Sequence, residues 1–426
     1  MKNAIDFLLK YKVFIIFNFL VFIAKIGYSY KKGFDGLTFE DWDIAHNLVR
    51  YGEYAEFMNI GPTAYKLPVY PLFLSLFISV FDEHAKAAVI IAQHIIYFFI
   101  PCMFILIAKV FNKEQIGILA GYLFIFSPAY FFYSNTLEIT NIFILIFLNF
   151  LYWFFVIWSK GYTFLRIIIL GTSAAVLFLS QVIAVPIAML LLFCLVLFRK
   201  LKIKQLMILL CITGCLYAPW VVRNYLTFDK VILSKTPVWQ NIHFGYFYDV
   251  QIFKSLQKVS PQKSSQIKEM RMNVDEFTME KLYEKEVRDI VKKDPYISLK
   301  KAFANALMLW YVPSRYFYDN SLTIVIGRKI YVIILNLISF ICLLQLYKQK
   351  KWKLLLFSLL LFINFTVPYM IGQAAMTRFK LDFEWYQLFL VSYFLYDKFK
   401  RKSIIYTKNI SVNGFIPAKK QYRMMP

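Results

Sequence analysis

The sequence predicts an all-α polytopic membrane protein, and three observations predict it. The 426 residues are 60% hydrophobic and 19% aromatic, with a mean hydropathy of +0.56, which is more apolar surface than a water-exposed fold of this size hides. The apolar runs recur at lengths near the roughly 20 helical residues that cross a bilayer. The basic residues fall in short clusters between those runs. The formal charge of +24, from 49 Lys+Arg against 25 Asp+Glu, therefore points to anionic membrane lipids rather than nucleic acid, for which one basic patch interleaved with aromatic rings is expected. Cys102, Cys194, Cys211 and Cys215 lie in or beside apolar stretches without metal-ligand spacing, so they are expected as small buried side chains.

Met1–Lys12 and the apolar Val13–Tyr28 lack a small-residue cleavage site and are expected to form an uncleaved first helix. Further spans are predicted over 86–109, 115–133, 137–158, 163–180, 182–198, 206–222, 323–347, 354–372 and 384–396, about ten in all. With the N-terminus inside, Lys109/Lys113, Lys160/Arg166, Arg199–Lys204, Lys348–Lys353 and Lys398–Lys402 share the inner side, as the positive-inside rule requires. That alternation holds only if the apolar run at 68–81, which opens on Pro68 and Pro71, lies along or dips into the outer surface instead of crossing. The expected organisation is a transmembrane module over 1–222 that includes an outer loop at 29–85, an outer segment at 223–322, C-terminal spans over 323–405, and a disordered inner tail at 406–426. Both termini are expected in the cytoplasm of a prokaryotic inner membrane.

The outer loop holds the densest polar signal. Thr38 is a candidate N-cap for a helix through about Arg50, on which Trp42, Ala45, His46 and Val49 share one face. Glu40, Asp41 and Asp43 put three carboxylates in its first turns. Asp41 and Asp43 fall off the apolar face, toward solvent or a cavity. Their plainest explanation is charge at a helix N-terminus; the alternative is a base facing a cavity at the membrane surface. Glu138 is placed one turn into the span 137–158, where a lone carboxylate needs a partner such as a loop arginine, or a role in a site. His46 and His94 read as packing or hydrogen-bonding histidines, and no metal ligand stands out. In the outer segment, Ser260–Gln266 is polar and expected to be mobile, Glu276–Ile297 has helical periodicity, and Ala302–Val312 with Trp310, Tyr311, Tyr316 and Tyr318 suggests an aromatic belt at the interface.

Several stretches resemble a known family. Glu40-Asp41-Trp42-Asp43-Ile44-Ala45-His46-Asn47-Leu48, Gly52-Glu53-Tyr54 and Lys66-Leu67-Pro68-Val69-Tyr70-Pro71 are similar to the first outer loop of multi-spanning glycosyltransferases that use polyprenyl-phosphate sugars, among them protein O-mannosyltransferases and lipid A aminoarabinose transferases. Ser127-Pro128 with Glu138, Ala218-Pro219-Trp220-Val221-Val222-Arg223-Asn224-Tyr225 and Arg378-Phe379-Lys380-Leu381 extend the resemblance over about 30–400, the middle of the large outer segment excepted. The family's leading aspartate falls near Leu37 or Thr38 here, so its function passes to Asp35, Glu40, Asp41 or Asp43. Asp382 also stands where the family usually has proline.

The resemblance implies a GT-C-type glycosyltransferase that moves a sugar from a polyprenyl-phosphate donor to a lipid, glycan or protein acceptor on the outer side. Such chemistry wants a base for the acceptor proton and positive charge for the departing phosphate. Asp41 is the first candidate base, beside the anchoring Trp42, with Glu40, Asp43 and Asp35 behind it. Lys66, Arg223, Arg315 and Arg378 are the candidate phosphate ligands. Arg378 shares its stretch with Lys380, Asp382 and Glu384, which would also allow simple local ion pairing. Glu138, Trp42, Tyr70 and Asn224 are candidates to line the acceptor cavity, and a divalent cation is an open possibility without an assigned ligand set. The alternative on the same helical frame is a non-catalytic scaffold or a transporter of lipid-linked sugar, which would leave the loop carboxylates in bulk solvent.

One topological outcome follows. A cysteine introduced at Asp43 should react with a membrane-impermeant thiol reagent from outside the cell, and one introduced at Lys202 only after permeabilisation; the opposite pattern would overturn the orientation.

Overall fold

The computed structural model describes residues 2–311, 322–374 and 377–412, and all regular structure among them is helical. The β-type contact among them is one isolated bridge between Phe247 and Val259. The chain begins with α1 (Lys2–Lys10), α2 (Lys12–Lys31) and α3 (Glu40–Tyr51), then α4 (Val69–Phe81), α5 (Ala85–Val110) and α6 (Glu114–Ile125). It continues through α7 (Pro128–Tyr133), α8 (Thr140–Lys160), α9 (Phe164–Phe178), α10 (Val185–Leu197) and α11 (Ile203–Phe228). The outer segment holds α12 (Trp239–Phe244), α13 (Pro261–Arg271), α14 (Glu276–Lys293) and α15 (Ile297–Tyr311), and α16 (Leu322–Lys348), α17 (Trp352–Ile371) and α18 (Thr377–Val412) complete the chain.

Among the described residues, six stretches are long and apolar enough to cross a membrane: Lys12–Lys31, Val69–Val110, Thr140–Lys160, Ile203–Phe228, Ile326–Lys348 and Trp352–Ile371. Glu114–Ile125, Phe164–Phe178 and Val182–Leu197 are shorter apolar helices. Apolar side chains cover both sides of many of them. On α4, Tyr70, Leu74 and Ile78 are buried while Leu72, Leu76 and Val80 are exposed, so the helix is apolar all round and its outward stripe suits lipid rather than water. On α16 the exposed row runs through Ile326, Ile330, Ile333, Leu337, Ile341 and Leu344. The chain is thus a membrane-embedded helical protein.

Several expected boundaries move. The single span at 115–133 is two helices, because Pro128 has no N–H to continue α6 and instead takes the first turn of α7. The 68–81 run forms α4, which a turn at Asp82–His84 (Asp82 φ 43°) folds back on α5, and Tyr70 Oη donates to Gln93 Oε1 at 2.9 Å across the pair. Its 13 residues reach about 20 Å at 1.5 Å per residue, short of a bilayer core of about 30 Å. α11 runs on to Phe228, past the expected boundary at 222, and α18 runs to Val412, past 405. Ser260–Gln266, expected to be mobile, belongs to α13, where Ser260 Oγ accepts from the Lys263 N–H at 3.3 Å and Pro261 takes the first helical position. Arg315, Tyr316, Tyr318 and the tail from 413 lie outside the described residues.

The main core lies where α5, α6, α8, α9, α10, α17 and α18 meet, around Phe104, Phe147, Leu170, Leu192, Phe365 and Trp385. The outer segment has a smaller core of its own around Tyr246, Phe247, Ile267, Met279, Tyr283 and Val287. Between α7 and α8 the backbone leaves helical form at 134–139, and irregular backbone within an apolar bundle must find partners in protein. They are supplied by polar residues of α2 and α5. Lys25 Nζ donates to Tyr130 O and Ser134 Oγ, both at 3.0 Å, and Gln93 Nε2 donates to Ser134 O and Thr136 O at 3.0 and 3.1 Å. Ser29 Oγ pairs with His94 Nε2 at 2.8 Å and with Asn135. Leu137 N donates to Leu37 O at 2.9 Å, which ties the start of the outer loop to this turn.

Close packing at Gly117 gives a clean test of the bundle. A Cβ there would lie 2.5 Å from Phe104 O and 2.7 Å from Ile105 Cα, whereas a Cβ at Gly214 meets nothing within 4 Å. Gly117→Ala should destabilise the purified protein by about 1–3 kcal/mol through overpacking, and Gly214→Ala should leave its melting temperature unchanged or raise it. Equal behaviour of the two variants would contradict the α5–α6 contact.

Candidate functional site

The polar centre of the outer loop is built on the first turn of α3. Phe39 is extended (φ −133°, ψ −174°) and precedes the helix without a side-chain cap, so Thr38 does not take that role. Glu40 and Asp41 sit among the free N–H groups of the helix start, where negative charge is favoured. The buried face of α3 is Asp41, Ile44 and Ala45, with Trp42 and His46 half-buried and Val49 exposed. This is one residue round from the expected face, and it carries Asp41 inward while Asp43 stays exposed. Asp41 is only 3% exposed, so its charge requires a counter-charge at close range.

Lys66 is that counter-charge. Its Nζ lies 3.2 Å from Glu40 Oε2 and 3.2 Å from Asp41 Oδ2. The approach to Asp41 is an ion contact without hydrogen-bond geometry, and Asp41 Oδ2 accepts no hydrogen bond. Burial opposes charge at Lys66, but Asp41 and then Glu40 hold its ammonium above the usual lysine range. Burial likewise opposes ionisation of Glu40, yet Lys66, the backbone N–H and the fields of Arg271 and Arg378 bring it down to about 2. Lys235 shares this field: burial, then the charge of Lys66, lowers it to about 8 against the pull of Asp41 and Glu40. Among the described residues Lys235 has no hydrogen-bond or ion-pair partner.

The loop that delivers Lys66 is clamped to the outer segment. Glu276, in the first turn of α14, accepts from Thr63 Oγ1 at 2.7 Å and from Ala64 N at 3.0 Å, and Arg271 Nη2 donates to Glu56 Oε1 at 2.6 Å. Arg223 donates through Nη1 to Thr63 O at 2.8 Å and to Asn224 Oδ1 at 3.0 Å, and through Nη2 to Tyr54 O at 3.3 Å. Its guanidinium also lies over Tyr54, Trp220 and Phe228. Arg223 therefore braces the loop, with two of its nitrogens engaged by protein. Asn224 is fully buried and donates to Ile232 O at 3.2 Å.

A second pair stands nearby. Glu138 lies two residues before α8, not one turn into it, and is fully buried against Arg378 of α18, with Tyr133 donating to its other oxygen. The charged stretch at 378–384 forms no local ion pairs. Asp382 accepts from Thr140 Oγ1 at 2.8 Å and Tyr369 Oη at 3.1 Å, and Glu384 is bidentate to Arg328 of α16 at 2.9 and 2.6 Å. Lys380 Nζ is 3.3 Å from Asn336 Oδ1 and lies over the Trp310 ring.

The structure thus brings together Glu40, Asp41 and Lys66, joins Glu138 to Arg378, and sets both groups in one field. Asp35 is 82% exposed at its side chain and 3.4 Å from Lys86, away from this cluster. Tyr70 is buried on Gln93, and Trp42 packs at the α3–α4–α5 contact. Arg315 lies outside the described residues. His94 serves the polar turn, and among the described residues no three His, Cys, Asp or Glu side chains stand together as metal ligands. Lys235 and Arg271 were not apparent from sequence, since nothing in Ser234-Lys235-Thr236 or in the helical run of Arg271 separates them from surface cations.

No protein-family model matches the chain, and no curated protein sequence matches it.

The clamp makes stability depend on pH. Burial pushes the Glu276 carboxyl up to about 7, with the donors Thr63 and Ala64 opposing. The folded protein then holds a proton that an unfolded glutamate releases near 4.5, so stability falls as pH rises between those values. Glu40 acts with the opposite sign but lower down, its contribution being lost only as pH falls below about 4.5 toward 2. The melting temperature should therefore decline from pH 4.5 to 7, and less steeply in Glu276→Gln; parallel slopes would dismiss Glu276 as the source.

Proposed function

We propose that this protein is an inverting glycosyltransferase of the GT-C type, with about ten membrane-crossing helices, acting at the outer face of a prokaryotic inner membrane with both termini in the cytoplasm. It moves a sugar from a polyprenyl-phosphate donor to a hydroxyl of a lipid, glycan or protein acceptor. The observation that carries this reading is the buried Asp41 in contact with Lys66 on the first outer loop, with Lys235 unpaired in the same field.

In this reading Asp41 accepts the proton of the acceptor hydroxyl. The acceptor oxygen bonds to the anomeric carbon as the bond from that carbon to the phosphate oxygen breaks. The phosphate leaves with the electron pair, and direct displacement inverts the configuration. Lys66 and Lys235 supply positive charge for the leaving phosphate. Glu40 shares Lys66 and keeps its position, while Glu138 and Arg378 hold the start of α18 against the turn before α8. The burial of Asp41 favours this over a scaffold, in which the loop carboxylates would all face bulk water.

Purified protein incubated with a panel of polyprenyl-phosphate sugars and envelope acceptors should yield a glycosylated product by mass spectrometry. Asp41→Asn should lower turnover by about a hundredfold or more with unchanged membrane insertion. Full activity in that variant would move the base to another carboxylate, and no product from any donor in the wild type would overturn the reading.

A further inference from the structure

A cavity of about 230 Å³ opens where the outer loop meets α11, α13 and α14. We propose that it is the subsite for a neutral or amino-sugar residue of the acceptor, so that the acceptor is a glycan; this rests on the transferase reading above.

Four rings line the cavity: Phe57, Tyr65, Phe228 and Phe277. Ring faces of this kind match the C–H faces of a sugar, while a few fixed polar groups orient its hydroxyls. Arg271 provides such groups. Its Nη2 is taken by Glu56, its guanidinium lies 4.5 Å from the Tyr65 ring centre, and among the described residues its Nε and Nη1 have no partner. Glu56, Asp275 and Glu276 also line the space. Burial pushes Glu56 and Glu276 up to about 7, so Asp275 already balances the one arginine and the walls carry no net positive charge to hold an anionic ligand such as a phosphorylated or acidic glycan.

The size suits a compact acceptor group. The volume falls below the roughly 300–1,000 Å³ of sites that enclose drug-sized ligands, which suits one sugar ring better than a peptide segment. The cavity is also one residue from the chemistry: Tyr65 lines it, and Lys66, next in the chain, contacts Glu40 and Asp41. The ion pair and hydrogen bonds that hold the loop to the outer segment hold the walls of the subsite as well.

Binding can be read without turnover. Full-length protein in detergent should give saturation-transfer NMR signals with chitotriose, mannotriose or glucosamine as probes, and not with a serine-containing peptide. Thr227→Trp, which places a large side chain at the wall from an exposed position of α11, should weaken probe binding tenfold or more. In the transfer assay it should raise the acceptor KM by a similar factor, with hydrolysis of the donor by water unchanged. Phe277→Ala should weaken binding in the same direction. Saccharide binding without transfer to any acceptor would remove the transferase reading and leave the subsite standing. Transfer with no saccharide binding, or binding indifferent to both substitutions, would remove the subsite alone.

Discussion

A carboxylate can stay charged at the mouth of an apolar bundle only with a cation in contact, and for Asp41 that cation is Lys66. Much of the loop at 52–68 and of the segment between α11 and α16 serves to deliver it. Lys66 ends a loop that has no regular structure to hold it, so the loop is gripped from three directions: at Thr63 O by the Arg223 guanidinium, at the Thr63 hydroxyl and Ala64 N–H by Glu276, and at the Glu56 side chain by Arg271. Each grip is at least partly withdrawn from water, and those made by the guanidinium groups of Arg223 and Arg271 are charge-assisted; losing one partner leaves the other exposed to the full cost of burial.

The same rule governs the interior. Lys25, Gln93, Ser29 and His94 would be costly in apolar helices, yet Gln93 bonds the backbone of Ser134 and Thr136, Lys25 and Ser29 reach the side chains of Ser134 and Asn135, and His94 is held by Ser29. That turn supports the start of the outer loop through Leu37 and carries Glu138 to Arg378. The two polar systems are therefore linked mechanically, one arranging the irregular backbone and the other arranging the charges above it. α18 joins them: its fully withdrawn Asp382 and Glu384 bond outward to α8, α17 and α16.

Legibility from sequence followed the range of the interactions involved. Helix existence is plain, because apolar runs and their flanking lysines are local patterns, and the periodicity of α3 and α14 is local too, although the cap expected at Thr38 is absent. The break at Ser127–Pro128 is a local signal as well, since the missing proline N–H cannot continue α6. The face of α3 was displaced by one residue, since Asp41 is drawn inward by a lysine 25 positions later. The charged run at 378–384 suggests neighbour pairing, but its partners lie on other helices or, for Arg378, in the turn before α8. Arg223 stood out as a cation beside aromatic residues, while its bonds to Thr63 and Tyr54 depend on a loop some 160 residues away.

The sequence by itself determined that the chain is helical and membrane-embedded, and that its acid cluster stands at the start of a helix, because composition, periodicity and helix-end chemistry act within a few residues. Only the tertiary structure decided which carboxylate is buried, which lysine neutralises it and where a cavity opens beside them, because those outcomes depend on side chains that meet across helices far apart in the chain.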